Sequence, residues 1–342
     1  SVRIFPYLQP DILLVTNLFR DSYRRNAHTE FIFDILDRAI PKTTTLVLNG
    51  DDPLCSELRK SGNRVFFGMD PLDFEDGTFR NIVRDGGVCP NCSAPLTYDF
   101  TRYHHIGIFH CEECGYTAPK KEYCITGADR EKRTLQVNIR GTDYSTRLLD
   151  LNPTNMYNQL SAIALLREYG YAPEKIMQSF ADLKIIESRL NTTEFQGKTV
   201  VCCLSKGQNP VACSRAFDNA RTLPGKKCII LLLDDRHDAV HSVENTAWLY
   251  DTDFEFLNDE SIHQVVVAGA RHWDTCVRLL LAGVPKEKIQ HLQSEDEVVS
   301  PVDVKLSDTF VIYHDITLVN IAEKVKTALL EKMEREIPQN EN

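Results

Sequence analysis

Short apolar runs closed by polar turns alternate along this chain with stretches of helical spacing. Asp11–Val15 is one such run, the signature of a fully buried strand, and Thr16–Asn17 ends it. From about Thr29 to Ala39 the period becomes helical and places Phe31, Ile32, Ile35 and Leu36 on one face. Thr45–Leu48 is the next strand, closed by the polar turn Asn49–Pro53, and Arg64–Phe67 is a third. Strand, helix, strand with polar strand ends predicts a parallel α/β arrangement. Farther on, short strands are expected around Leu135–Asn138. A helix comes next, from Asn155 to Tyr169, with Tyr157, Leu160, Ile163, Ala164 and Leu166 apolar, and a second from Pro173 to about Leu183.

After Arg189 the pattern resets. Thr199–Leu204, Cys228–Leu233, Val265–Ala268 and Thr309–Ile312 read as four apolar strands with helices between them, for example Asp274–Ala282. This is a second, Rossmann-like α/β unit. The last helix, Thr317–Met333, carries Leu318, Ile321, Val325 and Leu329 at helical spacing, and the residues beyond it read as a solvated tail. No internal repeat is visible. The domains predicted are residues 1–188 and 189–342.

One segment, roughly 82–126, interrupts the first unit. It holds Cys89-Pro-Asn-Cys92 and Cys111-Glu-Glu-Cys114, separated by eighteen residues rich in Tyr, His and Phe. Each pair turns two thiolates toward one point and a hairpin between them brings the pairs together, the geometry of a tetrahedral four-thiolate zinc site. Gly115 stands where a knuckle turn needs positive φ. Buried free thiols or disulfides are the alternative. A closed four-thiolate site leaves no open coordination position, so this Zn2+ is expected to hold structure. His104, His105 and His110 then read as hairpin packing or as supports for the ligands. The other seven cysteines are scattered among apolar neighbours and read as buried thiols.

The 342 residues, 42% hydrophobic and 26% charged, suit a globular chain of two domains. A net charge of −10 argues against nucleic acid as partner, because phosphate binding needs clustered Lys and Arg, and the charges near the cysteines are mixed. Eleven cysteines without a signal peptide or a membrane-length apolar run fit a reducing, cytoplasmic location.

Several stretches resemble one family, MurT, the Mur-ligase-type subunit of lipid II isoglutaminyl synthase. They are Pro10–Asp21, ending Thr-Asn-Leu-Phe-Arg-Asp; Leu48-Asn-Gly-Asp-Asp-Pro53; the ribbon with Tyr103–Gly107 before Cys111; Asn155-Met-Tyr-Asn158; and Ala268–Asp274 with Arg278 and Gly283. The resemblance implies a Mur ligase central domain with an inserted four-cysteine zinc ribbon and a Rossmann-like C-terminal domain. It also implies ATP and Mg2+ as cofactors, phosphorylation of the α-carboxylate of D-glutamate in lipid II, and attack by ammonia to give D-isoglutamine. The implied partner is a GatD-like glutaminase subunit that releases the ammonia from glutamine. The glycine-rich P-loop of Mur ligases has no counterpart here; Gly197-Lys198-Thr199 lacks the first glycine and a preceding buried strand, so an N-terminal part carrying the P-loop is expected to be missing.

By the same resemblance Asn17, Asp21, Asn49, Asp51, Asn155, Asn158 and Arg189 lie on the nucleotide and Mg2+ side. Read from the residues alone, Asn17 and Asp21 are equally a turn and a cap, Asn155 an N-cap, and Arg189 a surface arginine. Lys206 resembles the lysine of a Lys-Asn-Pro stretch, with two residues intervening. Arg271 and Asp274 suggest a local ion pair. For the partner's triad the family supplies an acid from the C-terminal domain; here Asp251, then Asp238, are the candidates, and Asn245 stands where an aspartate is common. Two other readings are a free-standing Mur or folylpolyglutamate-type amino-acid ligase and a degenerate ligase serving as a binding scaffold.

Overall fold

The computed structural model describes residues 4–5, 7–21, 28–181, 183, 190–205, 209–233 and 246–337. They fall into two compact units, the first described through Leu183 and the second from Leu190.

The first unit is a sheet in the order β1-β2-β3-β6-β7-β8. Strands β1 (Ile12–Val15), β2 (Thr45–Asn49), β3 (Arg64–Met69) and β6 (Tyr123–Asp129) run parallel; β7 (Thr134–Ile139) and β8 (Thr142–Arg147) continue antiparallel. The period of two is visible in β2. Leu46 and Leu48 enter one core with Ile32, Phe33 and Leu36 of α1 (Thr29–Ala39). Val47 enters the other with Tyr157, Leu160 and Ile163 of α2 (Pro153–Glu168). Truncating a side chain such as Leu48, fully buried, costs about 2–5 kcal/mol. Helix α3 (Pro173–Ser179) stops short of the expected Leu183.

Between β3 and β6 lies the ribbon, whose antiparallel strands β4 (Thr97–Tyr103) and β5 (Ile106–His110) form the hairpin between the cysteine pairs. Gly115 has φ 70°, as the knuckle turn requires. Residues 123–126, expected within the ribbon, instead begin β6, where Tyr123, Cys124 and Ile125 pair with β3 and Tyr123 and Ile125 feed the core shared with α2. Phe31 is another correction. It is 50% exposed, and Phe33 packs inward beside Ile32 and Leu36.

The second unit is a sheet in the order β13-β12-β11-β14-β10-β9. Strands β10 (Lys198–Leu204), β11 (Lys227–Leu232), β12 (Ile262–Ala268), β13 (Ile289–Leu292) and β14 (Thr309–His314) are parallel, and β9 (Leu190–Phe195) is antiparallel to β10. Ile229 and Leu231 of β11 face a core with Phe217 of α4 (Pro210–Thr222) and Leu279 of α6 (His272–Leu281). Cys228, Ile230 and Leu232 face the opposite core with Val325 and Leu329 of α7 (Val319–Glu336). Helices thus cover both faces, the arrangement that parallel sheets need. A short helix α5 (Trp248–Asp251) lies between β11 and β12. Helix α7 runs three residues past the expected end at Met333. No helix among the described residues is long and apolar enough to cross a membrane.

Candidate functional site: a four-cysteine cluster and a buried carboxylate cluster

The ligand atoms of Cys89, Cys92, Cys111 and Cys114 lie within 4.8 Å of one another, with Sγ···Sγ distances of 3.6 Å (Cys89–Cys114) and 3.5 Å (Cys92–Cys111). A tetrahedron of sulfurs about 2.3 Å from a metal has edges of about 3.8 Å, so the set can hold a metal ion. The two knuckles are built by backbone turns, Ser93 N to Cys89 O at 2.9 Å and Gly115 N to Cys111 O at 3.0 Å. The Cys111 thiol is drawn down to about 7, first by the backbone amide of Cys114. At Cys92 the Ala94 amide works downward, but desolvation and the neighbouring sulfurs push the thiol up to about 12. Four thiolates this close need a cation to ionise together, which is the chemistry of the donor set. All eleven cysteines are free of disulfides. Burial pushes the isolated thiols of Cys55, Cys213 and Cys228 upward, which makes them inert.

Six residues before Cys111, the hairpin turn meets the C-terminal ends of β1, β2 and β3. Asp51 is fully buried there. Its Oδ2 accepts from Met69 N at 2.7 Å and from Tyr157 Oη at 2.6 Å, and its Oδ1 meets Lys121 Nζ at 2.8 Å. Gly68 makes room for it, since a Cβ there would lie 2.7 Å from Asp51 Oδ1. Arg102 of β4 reaches the same cluster, donating to Tyr157 Oη at 2.7 Å and to both oxygens of Glu75 at 2.7 and 2.8 Å. Burial works against the Arg102 charge, but Tyr157, Glu75 and Asp51 outweigh it and the guanidinium stays charged. Desolvation first, then Asp51, pushes the Tyr157 phenol well above its ordinary value, so it remains a donor.

Asn49 is buried beside them; its Nδ2 donates to Thr16 O at 3.0 Å and its Oδ1 accepts from Asp51 N at 3.0 Å. Asp52 accepts from Leu18 N at 2.8 Å through Oδ2, and from Leu54 N and Cys55 N at 2.8 and 3.1 Å through Oδ1. Burial alone would raise its carboxyl; the His105 ring and the Leu18 and Cys55 amides outweigh burial and hold it below the usual range.

The structure therefore brings Asn17, Asn49 and Asp51 to adjoining strand ends. Asn17 is half-buried and donates to Thr16 Oγ1 at 3.3 Å. Asp21 closes the same loop. Asn155 and Asn158 share one helix face, Asn158 exposed, with Nδ2 3.4 Å from Asn155 Oδ1. Asn155 is not the N-cap. Asn152 is, accepting from Thr154 N at 3.0 Å, because Pro153 occupies the first helical position. Arg189, Lys206, Asp238 and Asn245 lie outside the described residues. Asp251 ends α5, which Arg278 of α6 ties down by donating to Leu249 O at 2.9 Å and Thr252 O at 2.8 Å. Arg271 and Asp274 pair at 3.5 Å. Asp52, Arg102, Lys121 and His105 join the cluster without having stood out in the sequence as site residues. The one local signal for them is the Arg-Tyr-His-His string at the hairpin turn.

Residues 206–318 match the family described as MurT ligase C-terminal. The chain is 29% identical over 305 residues to the lipid II isoglutaminyl synthase (glutamine-hydrolyzing) subunit MurT of Streptococcus pneumoniae, covering 88% of this chain and 66% of that protein. It is 30% identical over 286 residues to the MurT subunit of Staphylococcus aureus, covering 82% and 62%. It thus spans somewhat less than two thirds of these relatives. Among solved structures, a pseudomurein peptide ligase type C from Methanothermus fervidus superposes with a TM-score of 0.69 at 16% identity over 95% of this chain and 64% of that one. MurF ligase from Thermotoga maritima, solved in complex with ADP, gives 0.56 at 14% identity over 96% and 62%. The architecture is the Mur ligase fold with an inserted four-cysteine cluster, and the chain is a homologue of the MurT subunits over most of its length.

Proposed function

We propose that this chain is the ATP-using synthetase subunit of a cytoplasmic, glutamine-dependent amidotransferase that converts the D-glutamate of lipid II to D-isoglutamine. The observation that carries the reading is the similarity to two MurT subunits over 82–88% of the chain. The Mur ligase fold, seen elsewhere with ADP bound, supports it.

A carboxylate is a poor electrophile, and phosphorylation by ATP supplies a leaving group that ammonia displaces. The chain's task is to orient and neutralise phosphates. Asn17 and Asp21 serve on the phosphate and Mg2+ side, and Asn155, Asn158 and Arg189 on the nucleotide side. Asn49 and Asp51, buried at the end of β2, are further candidates on the nucleotide side. The four cysteines hold a structural Zn2+. A GatD-like glutaminase supplies ammonia, with Asp251 orienting its histidine and Asp238 the second candidate.

The test is co-purification of the full-length protein with the glutaminase, then an assay of glutamine-dependent amidation of lipid II. Amidation with glutamine and with free ammonia is expected. No amidation from either source, with ATP and Mg2+ present, would reject the enzyme reading.

A further inference from the structure

The loop after β1 is held at three places, two by the ribbon directly and one through Asp52, none of them a metal ligand. The Phe19 ring centroid lies 4.5 Å from that of His105 and 5.5 Å from that of His104. Arg20 Nε donates to both carboxylate oxygens of Asp85 at 3.0 Å. Leu18 N donates to Asp52 Oδ2, and Asp52 Oδ1 lies 3.5 Å from His105 Nε2. His105 is fully buried, and neither ring nitrogen has a formed hydrogen bond within the described residues. Holding an imidazole in the interior on one loose contact to a carboxylate is costly. A Phe or Leu would fill the same space at no such cost, so ring packing alone does not account for a histidine there. What the imidazole adds is the contact to the carboxylate that fixes Leu18 N.

The consequence is directional. Leu18, Phe19 and Arg20 are consecutive, and all three are held: one by its backbone, one by its ring, one by its charge. Asn17 and Asp21 flank this triplet. Pinning three successive residues leaves the flanking side chains little freedom to swing. It also removes most of the entropy that a loose loop would lose on meeting a charged ligand.

We propose that the ribbon's hairpin turn is a positioning element for the Thr16–Asp21 loop: His105 acting through Asp52 and Phe19, together with Asp85 acting through Arg20, sets the direction in which Asn17 and Asp21 face the phosphates and Mg2+ of ATP. The inference rests on the ATP-using reading above and gives the ribbon a task in nucleotide binding. His105 and Asp85 are positioning residues, since neither is placed to touch the nucleotide.

The experiment uses the full-length, zinc-loaded protein with its glutaminase and compares His105→Ala, His105→Gln and Asp85→Ala with wild type. Amide hydrogen exchange at Leu18, Phe19 and Arg20 is read without ligand, zinc content by metal analysis, and KM for MgATP and for the lipid substrate in the amidation assay. Exchange at the three amides is expected to rise by about tenfold in both alanine variants with zinc content unchanged. KM for MgATP is expected to rise by roughly five- to tenfold with KM for lipid II unaltered, and His105→Gln, which keeps a polar group beside Asp52, recovers most of the loss. Asp85→Ala carries the same test if His105→Ala does not fold. Unchanged exchange at residues 18–20 overturns the proposal; so does raised exchange with an unchanged KM for MgATP, and so does an equal change in both KM values. A wild-type complex without ATP-dependent turnover sinks the functional reading instead, while the exchange measurement still judges the grip of the ribbon on the loop.

Discussion

Asp51 in the first unit is held by groups from β3, β4, α2 and the Lys121 segment, whereas Asp251 in the second ends a four-residue helix that Arg278 ties to α6. Asp51 stands just beyond β2 and Asp251 in the segment between β11 and β12, and their surroundings differ in kind. Around Asp51 every partner is itself paired, so removing one member strands a buried charge or hydroxyl elsewhere. Around Asp251 the short helix is held locally, by Arg278, by Thr252 Oγ1 donating to Trp248 O at 2.9 Å and by Asp253 N donating to Ser214 Oγ at 2.9 Å. The first arrangement suits a part that must not move. The second is a short turn with Asp251 half-buried at its end.

Substitutions probe this difference, the most damaging first. Cys111→Ser removes one ligand of the cluster. Structural four-ligand zinc sites contribute on the order of 10 kcal/mol, so the ribbon is expected to lose its metal and its exchange protection. Metal analysis and hydrogen exchange over residues 89–117 read this, and unchanged metal content would reject the zinc assignment. Asp51→Ala comes next. It leaves Lys121 without its nearest counter-charge and Tyr157 Oη and Met69 N without their acceptor, while Arg102 keeps Glu75, and should destabilise the first unit by about 3–5 kcal/mol, read by denaturant unfolding. Arg278→Ala should cost about 1–3 kcal/mol, since two carbonyls lose a charged donor. It should weaken binding of the glutaminase more than MgATP binding, and the reverse would overturn the contrast between the two aspartates. Asn152→Ala removes the cap of α2 for about 1 kcal/mol.

Acid tests the same contrast. The Asp52 carboxyl is held below its ordinary value in the folded protein, so its ionised form stabilises the fold at any pH above the unfolded value near 4. That contribution is lost as pH falls through the folded value. Asp52→Asn should therefore lower stability at neutral pH and flatten the steepening of acid unfolding below about pH 4, measured by urea midpoints across pH.

Much of this was legible in the chain. Strands β2, β3, β10, β11, β12 and β14 are dominated by apolar runs because parallel strands bury both faces, whereas β1, read as fully buried, is a half-buried edge strand among the described residues. The cysteine spacing foretold a cluster that the structure assembles. Strands β9 and β13 were not legible. Each is an edge strand, and Leu190–Phe195 and Ile289–Leu292 carry Asn, Thr, Gln and His where one side meets solvent. The cap of α2 is Asn152 and not Asn155, although Pro153 marks the helix start in the sequence itself. The Asp51 and Asp52 contacts were out of reach for a different reason. Their partners Arg102, His105 and Tyr157 are brought in by tertiary packing, and no period or short motif records which distant charge will lie beside which.

The ribbon leaves the sheet after β3 and returns to it as β6, and those two strands are parallel neighbours. A chain joining parallel neighbours must travel back along the full length of the sheet, a path usually taken by a helix and needing a dozen or more residues. Here the four-cysteine module is that return path. It cannot be trimmed to a tight turn as a decorative insertion could: shortening it below a dozen or so residues would unpair β6 from β3 and, with it, detach the β7–β8 meander from the rest of the first unit.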